Sequence, residues 1–160
     1  MVRVAIGGTF DPIHDGHISL LKRAFELGKN GDVVIGLTSD TMARARRTRL
    51  VRDFSVRESN LRTVILKCFA IEDVDIIKID DQCGPSIYED FEFIVVSPET
   101  LTMAEKINQL RDKRNLKLLK ISVVEFQVAQ DNVPISSTRI TEGIIDRHGR
   151  LLSSLVVDGR

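Results

Sequence analysis

Two histidines three residues apart, His14 and His17, follow the stretch Gly7-Gly8-Thr9-Phe10-Asp11-Pro12-Ile13 and stand at the head of an apolar-periodic run. These residue types at this spacing suit the binding of a polyphosphate. Glycines let the backbone turn sharply and approach a ligand without a Cβ in the way, and free amides at a helix N-terminus favour anionic groups. Imidazoles at i and i+3 bracket one turn, where each can donate a hydrogen bond to phosphate oxygens in a partly desolvated crevice. A second constellation, Ser136-Ser137-Thr138-Arg139, puts three hydroxyls and an arginine at the start of another helical pattern. An ordinary N-cap accounts for one hydroxyl, and three in succession point to phosphate contact.

The elements that must position these residues alternate. Val2 to Ile6 reads as a strand, and Ile18, Leu21, Ala24 and Phe25 recur with helical spacing, so the histidine motif joins a strand to a helix. After an Asn30-Gly31 turn, Asp32 to Thr38 reads as a strand buried on both faces. Ser55-Val56-Arg57-Glu58 is a capping box that predicts a helix with Leu61, Val64, Ile65, Cys68 and Phe69 on one face. Asp75 to Ile79, Phe91 to Val96 and Leu116 to Val124 complete five strands. Thr102 opens a helix carrying Ile107 and Leu110, and Ile140, Ile144 and Ile145 form the apolar side of a last one. Every link between strands is long enough for a crossover. The expected fold is therefore α/β, a Rossmann-like, doubly wound, five-stranded parallel sheet with the first strand central and the crevice at the strands' C-terminal ends.

Composition narrows the function classes. At 160 residues the chain fits a single domain, taken as residues 1–150, with a C-terminal tail over 151–160 that is expected to fray in part. Lysine plus arginine equals aspartate plus glutamate, 23 each, so there is no basic excess of the kind that marks nucleic-acid binders. No run reaches the length of a membrane span and no signal segment opens the chain, which predicts a cytoplasmic protein. Two cysteines are too few for a disulfide framework, and no metal site of the protein's own is expected. Cys68 reads as core and Cys83 as a loop residue.

Two clusters read either way. Arg44, Arg46, Arg47, Arg49 and Arg52 form either a solvated loop or, following a strand end, a source of one or two phosphate contacts. Asp80-Asp81 ahead of Gly84-Pro85 suggests a metal site or, more commonly, a turn.

The form His14-Asp15-Gly16-His17 after Gly-Thr-Phe-Asp resembles the signature of the HIGH-type nucleotidylyltransferases. Together with Ile135 to Ile140 and the turn Val96-Ser97-Pro98-Glu99-Thr100, in this order and spacing, the chain resembles the archaeal-type pantetheine-phosphate adenylyltransferases over nearly its whole length. It departs from that pattern at Met103, where the family commonly has glycine. Cytidylyltransferases usually carry phenylalanine where this chain has Ile13.

The resemblance implies transfer of the adenylyl group of ATP to 4'-phosphopantetheine, with Mg2+ accompanying ATP. It implies that Thr9 and His17 hold the two reacting phosphates, and that His14, the Phe10 amide and the close approach at Gly8 serve the nucleotide. Ser136, Ser137, Thr138 and Arg139 would hold the leaving pyrophosphate, and Arg44 or Arg46 would stand near the transferred phosphate. Asp11, the Gly84-Pro85 loop, and Ser97 and Glu99 of the turn to Thr100 would wall the acceptor's pocket. The expected partners are these two small molecules, with no nucleic acid or membrane, and the assembly a monomer or small homo-oligomer. Adenylyl transfer to nicotinamide or flavin mononucleotide, and a non-catalytic nucleotide-binding domain, are the competing readings.

Overall fold

Burial alternates along the strands and decides the architecture. In β1 (Arg3–Gly8), Val4 and Ile6 pack on one side of the sheet and Ala5 on the other; in β2 (Asp32–Thr38), Val33, Ile35 and Leu37 share the first side and Val34 the second. Both faces are thus buried, the condition for a parallel sheet. The structure, a computed structural model, describes residues 2–29, 32–45 and 47–152, so the Asn30-Gly31 turn, Arg46 and most of the 151–160 tail lie outside the described residues.

The remaining strands are β3 (Asp75–Ile79), β4 (Phe93–Val96) and β5 (Lys120–Val123), and all five pair in parallel in the order β3-β2-β1-β4-β5. The first strand is central, as expected. Two helices, α1 (Asp15–Leu27) and α3 (Phe54–Phe69), cover one face with Leu21, Ala24, Leu61 and Ile65. The other face is covered by α4 (Leu101–Lys113) through Ala104 and Ile107. Two short helices, α2 (Asp40–Arg44) and α5 (Ser137–Thr141), follow strand ends. This is the doubly wound, Rossmann-like sheet in one domain. No helix of the described residues is long and apolar enough to cross a membrane.

Several local expectations are corrected. The capping box at Ser55 does not form, because the Phe54 amide already donates to Asp40 Oδ1 at 2.8 Å and the helix therefore begins at Phe54 with Asp53 at its cap. Cys68 is exposed. The buried stripe of α3 runs Arg57, Leu61, Ile65 along the i+4 row, which drifts around the helix and leaves Cys68 on its flank. The fifth strand starts late because the Asn108 side chain takes both backbone groups of Leu119, at 2.8 and 2.9 Å, in place of a sheet partner. The fourth starts at Phe93, with Phe91 buried beneath the Arg3 guanidinium instead of in the ladder. The helix expected to open at Thr102 begins one residue earlier, at Leu101, with Thr100 at its cap.

The last helix also ends early. Gly143, at φ +78°, follows the cap and turns the chain, so Ile144 and Ile145 lie beyond the helix, yet they still pack with Ile140 in one cluster around Ala129 and Ile135. Ile145 then bridges Leu151 in antiparallel fashion, which ties down the part of the tail that is described.

Two arginines escaped the sequence reading as structural centres, Arg57 and Arg111, both fully buried. Arg111 donates to the carbonyls of Ser86, Glu89 and Lys117 at 2.7–2.8 Å and so fastens the connections on either side of β4 to α4. Arg111→Met would leave the Ser86 and Lys117 carbonyls without donors, the Glu89 carbonyl keeping the Phe91 amide at 3.1 Å, at about 1–3 kcal/mol for each group that stays dry. Allowing for entry of water, equilibrium urea denaturation should read a loss of about 2–4 kcal/mol; a change under about 0.5 kcal/mol, the range of ordinary surface substitutions, would show that the guanidinium is replaceable.

Candidate active site

The strand order reverses direction between β1 and β4: the chain winds outward from β1 to β2 and β3, then crosses back to β4 on the other side. Open α/β sheets bind ligands at such a switch point, outside the strands' carboxyl ends. Here a cavity of about 310 Å³ opens there, lined by residues that follow β1, β4 and β5 and by the Ser136–Thr138 segment.

Its floor is built by β1. The strand does not turn at its glycines, since Gly7 and Gly8 stay paired with Gly36 and Leu37 of β2. The turn comes at Phe10, at φ +50°, whose ring folds back so closely that a Cβ on Gly8 would lie 3.0 Å from it. Gly8 therefore serves the Phe10 ring and does not itself line the cavity. Thr9 is buried at the cavity wall, with Oγ1 2.9 Å from Thr38 Oγ1.

The histidines cap their own helix reciprocally. His14 is the N-cap of α1 and its Nδ1 accepts from the Gly16 amide at 3.0 Å, while His17 Nδ1 accepts from the His14 amide at 3.2 Å. Their rings stack with centroids 3.9 Å apart, and Phe10 lies against His17 at 5.0 Å. Gly16 makes this possible, because a Cβ there would sit 2.8 Å from His14 Cε1. A ring whose Nδ1 accepts must carry its proton on Nε2, so both histidines are Nε2–H donors. Burial lowers His17 to about 3, helped by neighbouring His14 and then Arg49. Burial likewise lowers His14 to about 4, with Asp15 opposing and Arg49 adding. Both are neutral at physiological pH.

The arginine cluster divides by partner. Arg44 donates to Asp53 at 2.7 Å and to the Val51 carbonyl at 2.9 Å, so the structure does not bring it to the cavity; Arg46 lies outside the described residues. Arg52 pairs with Asp11, whose carboxylate also accepts from the Arg52 amide at 2.8 Å. Asp11 lines the cavity but is buried and already satisfied, which counts against a direct role in holding a substrate. The side chains that do reach the cavity are Arg47 and Arg49. Arg49 is the more informative: its Nε is buried and has no hydrogen-bond partner among the described residues. Burial and Arg47 push its guanidinium below the usual arginine range, with Asp11 opposing.

Across the cavity, Ser136 caps α5 by accepting from the Arg139 amide, and Ser137 Oγ donates to the Pro12 carbonyl at 2.9 Å. Ser136, Ser137 and Thr138 all line the cavity; Arg139 does not, because Asp131 and the carbonyls of Val133 and Pro134 hold its guanidinium away. Ser97 and Glu99 line the same cavity, together with Leu20, Val124, Glu125, Phe126 and Gln127, which the sequence reading did not single out. The Gly84-Pro85 loop lines a different, small apolar space on the α4 side of the sheet with Met103, so it shares no wall with Ser97 and Asp11. Asp81 accepts from the amides of Cys83 and Gly84 and is a turn residue. Among the described residues no three His, Cys, Asp or Glu side chains gather as a metal site.

Residues 5–143 match the model of the cytidylyltransferase-like family. The chain is 48% identical over 152 residues to the phosphopantetheine adenylyltransferase of Methanosarcina mazei, covering 94% of this chain and 97% of that one. It is 44% identical to the enzyme of the same name from Archaeoglobus fulgidus, covering 94% and 100%. A solved structure of a protein of unknown function from Archaeoglobus fulgidus superposes with a TM-score of 0.72 at 42% identity, over 77% of this chain and 89% of that one.

The lowered histidine values give a pH dependence of stability. Between pH 6.5 and about 4 the unfolded chain binds protons that folded His14 and His17 refuse, so stability is complete above that window and falls as pH drops through it. Each histidine contributes a slope approaching about 1.4 kcal/mol per pH unit. Denaturation series at pH 4.5 to 7 should show this slope, and His14→Gln should reduce it. Carbon-bound proton shifts of both rings should stay flat from pH 5.5 to 8; a midpoint near 6.5 for either would remove the reciprocal cap.

Proposed function

The chain belongs to the phosphopantetheine adenylyltransferase family, and from that membership and the cavity's chemistry we propose that it transfers the adenylyl group of ATP to 4'-phosphopantetheine, releasing pyrophosphate and forming dephospho-coenzyme A. The observation that carries the reading is the convergence on one cavity of Thr9, two neutral Nε2–H imidazoles, Arg49 with its buried Nε, and the Ser136–Thr138 segment.

The donor set fits phosphoryl chemistry without a general base. The acceptor phosphate is an anion at neutral pH and needs no deprotonation, while both imidazoles have committed Nδ1 to the backbone and cannot accept a proton there. Catalysis then rests on alignment and on neutralising charge at the α-phosphate. His17 Nε2–H and the Thr9 hydroxyl hold the two reacting phosphates, and His14 binds the nucleotide phosphates beside the Phe10 amide. Arg49, with Arg47 next to it, takes the role expected of Arg44. The Ser136 and Thr138 hydroxyls receive the leaving pyrophosphate, while Ser137, whose proton goes to the Pro12 carbonyl, sets the segment against the β1 loop.

Ser97 and Glu99 offer hydrogen bonds to the amides of the pantetheine arm, and Val124 and Phe126 give an apolar surface for the purine. Magnesium enters with ATP as part of the substrate. A divalent ion of this kind keeps its waters and phosphate ligands and asks for one or two protein carboxylates, of which Glu125 can supply one. Two free cysteines and balanced charge fit a cytoplasmic enzyme with small-molecule partners.

Purified protein with ATP and magnesium should release pyrophosphate when 4'-phosphopantetheine is supplied and ignore nicotinamide mononucleotide and flavin mononucleotide. Faster turnover with either nucleotide would overturn the acceptor assignment. His17→Ala should lower kcat by about a hundredfold to a thousandfold, the scale for one preorganised donor, with a smaller change in ATP affinity. Arg49→Met should weaken ATP by about tenfold or more, since a hydrogen bond to a charged group contributes about 1.5–3 kcal/mol; an unchanged KM for ATP would remove Arg49 from the phosphate site.

A further inference from the structure

Thr9 can serve a phosphate only as a donor, because the phosphate oxygens are acceptors. Its hydroxyl has one proton, and Thr38 Oγ1, 2.9 Å away, could receive it. What prevents this is the other neighbour of Thr38. Arg57 Nη1 donates to Thr38 Oγ1 at 3.2 Å and to the Thr9 carbonyl at 3.4 Å, and a guanidinium has no acceptor state. Thr38 is buried, so its own proton needs an acceptor, and Thr9 Oγ1 is the partner found for it among the described residues. The opposite order would make Thr38 accept twice and bury its hydrogen unpaired, which folded proteins avoid.

From this chain of donors we infer that Arg57 and Thr38 are positioning residues that set the direction of the hydroxyl pair, so that the Thr9 proton is delivered into the cavity. Arg57 is itself held by the Arg52 carbonyl at 2.7 Å and by Asp40 Oδ1 at 2.9 Å, so its Nη1 has little freedom to withdraw. The relay runs from the buried guanidinium through Thr38 to Thr9, and neither Arg57 nor Thr38 lines the cavity. The inference rests on the adenylyl-transfer reading for what Thr9 touches, while the direction of the relay stands on the hydrogen bonds alone.

Two measurements test it. Neutron diffraction from deuterium-exchanged crystals of the wild-type protein should place the Thr38 deuterium on the line to Thr9 Oγ1 and the Thr9 deuterium pointing into the cavity; the reverse assignment overturns the relay, whatever the reaction is. In steady-state assays with saturating ATP and 4'-phosphopantetheine, Thr38→Val should lower kcat about tenfold, with KM for both substrates within about threefold, and Thr38→Ser should restore turnover. Placed in a Thr9→Val background, Thr38→Val should cost less than about twofold more, because the hydroxyl it orients is gone. A loss that multiplies with that of Thr9→Val, or a Thr38→Val enzyme with wild-type kcat, overturns the inference. Should Thr38→Val fail to fold, the deuterium positions decide the question. Wild-type protein inert toward both substrates would count against the reaction and not against the relay.

Discussion

An imidazole nitrogen that accepts a backbone amide cannot also carry a proton, and this constraint organises the site. His14 and His17 cap one helix turn from both ends, so each spends its Nδ1 lone pair on the chain and keeps a single Nε2–H for whatever enters the cavity. Tautomer, charge state and aim are therefore decided by helix capping, before any ligand arrives. Gly16 is part of the same constraint, since the space its side chain would fill is occupied by the His14 ring. The strand-to-helix junction is at once the structural cap of α1 and its chemical end.

The polar groups around that junction are tied together over long distances in the chain. Asp11 is satisfied by Arg52, Asp40 by Arg57 and the Phe54 amide, and the Ser137 hydroxyl by the Pro12 carbonyl, so the β1 loop is held from the α2–α3 connection, from α3 through Arg57 and the Thr9 carbonyl, and from the C-terminal segment, while α2 is tied to α3. Arg49 stands apart from this economy of partners. Its buried Nε has no acceptor among the described residues, and the cost of leaving that N–H dry is relieved when an anion comes. A site that is rigid where it aims and unsatisfied where it attracts is suited to polyphosphate.

The sheet was legible because each strand is a short apolar run with turn residues at its ends, and five such runs separated by helical patterns leave few topologies. The histidine motif was legible because its spacing and glycine have one economical use. Element ends were less so: the start of α3 depends on a carboxylate fourteen residues earlier, at Asp40, and the start of β5 on Asn108. The arginines were least readable. Arg44, Arg47, Arg49, Arg52 and Arg57 are the same side chain in neighbouring positions, yet one pairs with Asp53, two line the cavity, one holds Asp11 and one is entombed beneath the hydroxyls. What separates them is which carboxylates and carbonyls the fold places nearby, and nothing in local spacing encodes that. Arg139 misled for the same reason, since Asp131 claims it.

The hydrogen bond from Ser137 to the Pro12 carbonyl joins residues 125 positions apart. During synthesis at roughly 5–20 residues per second, the histidine turn leaves the ribosome about 6–25 s before the segment that closes the cavity over it. Strands β1 and β2 can pair in that interval, but the wall that faces the imidazoles does not yet exist. A ribosome-bound chain thus carries the helix cap without the enclosure, and the walled cavity arrives only once α5 has emerged.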